Sequence, residues 1–112
     1  MLNQIVMVGR LVRNPELKVS ENGAKYTYIT LAVPRSYKNS DGEYTSDFID
    51  CRLWSPVAEN ASEYCRKGDL VGIKGRIETR EYEKDEEKKY ITEIIAEKIS
   101  FLSNKRQEEA EE

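Results

Sequence analysis

The segment "DFIDCRLW", residues 47–54, places two large aromatic rings and a guanidinium on one side of a strand. At a period of two, Ile49, Cys51 and Leu53 share one face and Phe48, Asp50, Arg52 and Trp54 the other. The first set is an ordinary core face. The second should meet water, yet it is built around Phe48, Arg52 and Trp54. "LVGIKGRIETREY", residues 70–82, divides similarly: Val71, Ile73 and Ile77 point one way, Lys74, Arg76, Arg80 and Tyr82 the other. Upstream, Tyr37 stands between Arg35 and Lys38. Exposed rings interleaved with cations can stack on flat π systems and hold anions at the same time. Unpaired bases joined by phosphates present both, and every base has a π face, so such readout is largely independent of sequence.

Each feature also has a plainer reading. An exposed tyrosine or a surface lysine usually only meets solvent. The Phe48–Trp54 pair could form a protein interface or, if the register slips by one residue, part of the core. The acidic–basic run "EKDEEKK" reads as a solvated hairpin tip. The same pattern recurring in a loop and two strands favours a single-stranded nucleic acid.

Other chemistries find little support. There is no histidine, no phosphate-cradling glycine loop and no nucleophile beside a base. Asp47 and Asp50 fall on opposite strand faces and make no metal cluster for nuclease chemistry. Cys51 and Cys65 are too few for zinc without histidine and read as small buried hydrophobes. The chain is therefore expected not to be an enzyme and to use no cofactor or metal. The N-terminus "MLNQIVMVGRLV" has no basic leader, and its apolar run is too short to span a membrane. A cytoplasmic, nucleoid-associated location with no membrane partner is expected. The net charge of -3 argues weakly against a nucleic-acid partner, because local distribution matters more than the total.

The elements that must position these residues fit one domain of 112 residues. Residues 2–12 are apolar on both faces, as in a strand buried twice or one meeting another subunit. Asn14-Pro15 breaks that strand, and Asn22-Gly23 is a hairpin signal. A second strand spans 25–35 and ends at Pro34. A polar loop over 36–46 precedes the third strand at 47–54. Val57, Ala61, Tyr64 and Cys65 then recur at helical spacing, predicting about ten helical residues. Ser55 should cap that helix, with Pro56 at its first position, Arg66 and Lys67 at its negative end and Gly68 at C′. The fourth strand spans 70–82 and the fifth 89–102. Residues 103–112 read as a short, acidic, disordered tail. The order βββαββ predicts an all-β domain over 1–102: an OB-fold, a five-stranded Greek-key barrel with one short helix between its third and fourth strands.

"MLNQIVMVGRLVRNPELK", "NGAKYTYITLAV", "DFIDCRLW", "AENASEYCRKGDLVGIKGRIETREY" and "YITEIIAE", in this order and spacing, resemble the bacterial single-stranded DNA-binding protein family. The resemblance runs from Met1 to about Leu102. It implies coverage of single-stranded DNA during replication, recombination and repair. It also implies four base-stacking positions, matched by Tyr37, Phe48, Trp54 and Tyr82, and a homotetramer in which the first strand pairs between subunits. Arg35, Lys38, Arg52, Lys74, Arg76 and Arg80 are the candidate phosphate partners. The sequence departs from the family at its end. Members usually continue through a Gly/Pro/Gln-rich linker to an acidic tip closing in Pro-Phe, whereas "RQEEAEE" is acidic without an apolar anchor. That puts recruitment of replication and repair proteins in doubt. The alternative is an OB-fold protein-interaction module of a primosome-type assembly, its aromatic face docking protein.

Overall fold

A computed structural model describes residues 2–104. The strands are β1 (Ile5–Leu11), β2 (Lys18–Val19), β3 (Lys25–Lys38), β4 (Tyr44–Trp54), β5 (Leu70–Lys84) and β6 (Glu87–Ser103), with helix α1 (Val57–Tyr64) between β4 and β5. They form one sheet in the order β1-β5-β6-β4-β3-β2, and pairing of Arg10 with Ala32 and Leu11 with Leu31 joins β1 to β3. The sheet thus closes into a five-stranded barrel, with β2 appended to β3. All neighbours run antiparallel except β4 and β6. This is the OB topology.

Alternation fills the barrel. Thr27, Ile29 and Leu31 from β3, Cys51 and Leu53 from β4, and Val71 and Ile73 from β5 are buried, with Met7 and Leu11 from β1 and Ala96 from β6. Burial pushes the Cys51 thiol up to about 12 and raises that of Cys65. The first strand has one buried and one open face in this chain. Met7 and Leu11 point inward, while Val6 and Val8 are exposed.

Several local expectations are corrected. The second strand does not stop at Pro34 but runs to Lys38. Pro34 lies past the last β1 pair, and pairing with β4 shifts between Pro34 and Lys38, where a missing N–H is tolerated. The expected 36–46 loop contracts to the turn after Lys38, and Tyr37 is a strand residue. The helix is eight residues long rather than about ten. Ser55 does not cap it: its hydroxyl is buried without a hydrogen-bond partner among the described residues. Pro56 stands at the N-cap rather than inside the first turn. Ala58 and Ala61 face the core, whereas Tyr64 is exposed. Small side chains let the helix approach β3, β4 and β6 closely. Arg66 and Lys67 follow the helix, but Arg66 still serves its end, with Nη1 donating to the carbonyls of Ser62 and Cys65 at 2.9 and 2.7 Å. Gly68 does take a positive φ of 91°, in the turn 66–69 rather than at C′.

β5 and β6 outrun the barrel as a two-stranded arm paired to Lys84–Glu87. Ile77, expected with the core face, is 42 % exposed because it lies where the arm leaves the barrel. The arm turns at Asp85 and Glu86, both at positive φ (53° and 65°). At its root, a Cβ on Gly75 would stand 2.1 Å from the Ile95 carbonyl oxygen. Pairing between β5 and β6 shifts register there, between Lys74 and Gly75. Of the tail expected over 103–112, Ser103 belongs to β6 and residues 105–112 lie outside the described residues.

Candidate nucleic-acid interface

The antiparallel register of β3 and β4 builds the outer face. Tyr26 lies opposite Trp54, Tyr28 opposite Arg52, Thr30 opposite Asp50 and Ala32 opposite Phe48. Cross-strand neighbours are close enough for ring contact. Tyr26 and Trp54 stack at a tilt of 49° with centroids 5.5 Å apart, and Tyr28 meets Tyr26 edge-on at 5.8 Å. The Arg52 guanidinium carbon sits 5.1 Å from the Tyr28 ring centre and 5.6 Å from that of Trp54. Its Nε and Nη2 also donate to the Tyr28 hydroxyl. Trp54 is thus exposed along one side of a supported cluster. Phe48 is 68 % exposed and makes no ring–ring or cation–ring contact among the described residues.

Tyr37 and Tyr82 are exposed as expected, one on the β3–β4 hairpin beyond the barrel and one on the β5–β6 arm. Arg35 lies 6.0 Å from the Tyr37 ring centre, and Lys38 Nζ lies 5.6 Å from that of Tyr44.

The cations divide into two groups. Four of the six are already committed within the chain, each to a carboxylate on its own or an adjacent strand. Arg35 is bidentate to Asp47, with contacts of 2.8–3.2 Å. Those hydrogen bonds hold the Asp47 carboxyl below its ordinary value and raise Arg35. Arg52 Nη2 donates to Glu93 Oε1 at 2.9 Å, and Arg80 Nη2 reaches the same oxygen at 2.8 Å. Arg76 pairs with Glu78 at 2.7 Å and Glu97 at 3.5 Å. Lys38 and Lys74 have no ion pair among the described residues. Lys74 stands apart from the rings. Its register partners are Val6 and Lys98, and it lines a shallow cleft of about 230 Å³ with Val6 and Val8.

The structure therefore brings Arg52 to Trp54 and links Arg52 to Arg80 through Glu93, but leaves Lys74 on another sector of the barrel. Reading the sequence missed Tyr26, Tyr28 and Glu93. The two tyrosines had a signal: in "KYTYITL" they alternate with the buried Thr27, Ile29 and Leu31. Glu93 had none, since its arginines are distant in sequence. No group of three or more His, Cys, Asp and Glu among the described residues could hold a metal, and no helix there is long and apolar enough to cross a membrane.

Comparison with known proteins agrees with this geometry. "Single-stranded DNA-binding protein B" of Bacillus subtilis (strain 168) is 46 % identical over 111 residues, covering 98 % of each chain. The "Single-stranded DNA-binding protein" of Halalkalibacterium halodurans is 47 % identical over 103 residues, which are 91 % of this chain and 61 % of that longer one. A crystal structure of a deletion mutant of the single-stranded DNA binding protein from Thermus aquaticus superposes with a TM-score of 0.77 at 29 % identity, covering 93 % of this chain and 52 % of that one. Residues 2–102 match the Single-strand binding protein family, and the chain belongs to it.

Proposed function

We propose that this protein binds and protects single-stranded DNA without strong sequence preference, residues 1–102 forming the binding domain. The observation that carries the reading is the row of exposed rings along one outer surface, Trp54 braced by Tyr26 and Arg52, and Phe48 standing clear. Bases stack on Phe48, Trp54, Tyr37 and Tyr82 while phosphates meet the cations. Lys38 is ready for that role. Arg35, Arg76 and Arg80 serve it by exchanging a carboxylate for a phosphate. The relatives' names favour this reading over a protein-interaction module. The protein acts by binding rather than by catalysis, in replication, recombination and repair, in the cytoplasm.

Trp54 is the chain's only tryptophan, so its fluorescence reports directly on the site. Oligo-dT should quench it to saturation while duplex DNA of equal length does so far less. No change with oligo-dT would remove the reading.

We further propose a homotetramer joined through the open face of β1. Val6 is 68 % and Val8 48 % exposed, side by side on a strand, where a lone barrel gains nothing from them. Analytical ultracentrifugation at micromolar concentration should show the tetramer, and Val6→Glu with Val8→Glu should dissociate it by placing charges where apolar burial is needed. A 13-kDa species alone in the unaltered protein would exclude it.

A further inference from the structure

Glu93 is a carboxylate on the face that the proposed function gives to a polyanion. It projects from β6 with its side chain 12 % exposed, and both Arg52 and Arg80 converge on its Oε1. The two pairs are unequal. Arg52 is 13 % exposed and is also fixed by the Tyr28 hydroxyl, so breaking its pair would strand a desolvated charge. Arg80 is 54 % exposed, and an ion pair at the surface is worth little. The three groups line one cleft of about 260 Å³ together with Tyr28, Asp50 and Ile91. A phosphate reaching this cleft meets one arginine that is costly to detach and one that is not.

We propose that Glu93 is a built-in stand-in for phosphate. It holds Arg80 while no nucleic acid is bound and yields it to a backbone phosphate on binding. It keeps Arg52, which then acts as a fixed platform beside Trp54 and not as a phosphate ligand. Glu93 is thus a positioning residue that limits affinity: binding exchanges one ion pair for another, and the carboxylate, then held by Arg52 alone, stays near the strand. The inference rests on the single-stranded DNA reading.

Two measurements on the full chain test it. Oligo-dT titrations at several salt concentrations compare the unaltered protein with Glu93→Gln, Arg80→Ala and the double variant. Glu93→Gln should bind about three- to tenfold tighter at low salt, with the gain fading as salt screens it. Most of that gain should vanish in the Arg80→Ala background. Unchanged or weaker binding by a Glu93→Gln protein that melts cooperatively above the assay temperature would overturn the proposal. Because that variant leaves Arg52 unpaired, the second measurement uses the unaltered protein. The side-chain carboxyl carbon of Glu93, followed by NMR, should shift as oligo-dT is added. A signal that stays in place while Trp54 fluorescence saturates overturns the proposal, whether or not the variant folds, and leaves the DNA reading intact. An unaltered protein that does not bind oligo-dT overturns both.

Discussion

Phe48 and Trp54 stand on the same face of β4 in opposite circumstances. Trp54 is 39 % exposed and rests on Tyr26, with Arg52 beside it. Phe48 is 68 % exposed, with only Ala32 as its cross-strand neighbour. One ring belongs to a small polar–aromatic cluster that the fold itself uses. The other contributes almost nothing to the fold. Aromatic exposure on a strand thus has two meanings, a cluster with one side open and a ring held out for a ligand, and truncation separates them.

The largest effect should come from Trp54→Ala. It should cost about 1–3 kcal/mol of oligo-dT binding and, through the lost Tyr26 contact, about 0.5–1.5 kcal/mol of stability. Phe48→Ala should cost binding in the same range while stability moves by less than about 0.5 kcal/mol. Thermal melts set beside oligo-dT titrations check both. A Phe48→Ala protein that melts early but binds normally would show that the ring faces inward and break the comparison.

The smallest effects lie in the couplings. The two rings are roughly 20 Å apart along the strand, so the double variant should be additive within about 0.5 kcal/mol in binding. Tyr26→Ala and Trp54→Ala should instead couple by about 0.5–1.5 kcal/mol in stability. Double-mutant cycles measure both, and equal couplings would erase the distinction between the two rings.

Much of this surface was legible in the sequence because strand alternation is local. Phe48 and Trp54 could be assigned outward, and Cys51 and Leu53 inward, from "DFIDCRLW" alone. The barrel followed from the order of elements. Pairing was not legible. Arg52 reads as a free cation until β6 brings Glu93 beside it, and Arg80 until the same carboxylate is seen across the arm. Charges are visible in a sequence, but their neutralisation depends on register between distant strands. The same holds for Ile77, whose alternation was read correctly but whose place past the barrel rim depends on where the arm departs. Strand ends failed at Pro34 because proline stops a strand only where its N–H is needed.

The close approach at Gly75 also bears on how such a protein can vary in length. Its missing Cβ leaves room for the Ile95 carbonyl at the root of the arm, so that junction cannot slide. The far end carries no such restriction, since the arm is exposed on both sides from Glu78 onward on β5. Reach is therefore adjustable from one end only. Each residue pair added behind Asp85 and Glu86 would carry the tip about 3.4 Å further, while Tyr82 and everything nearer the barrel stayed in place.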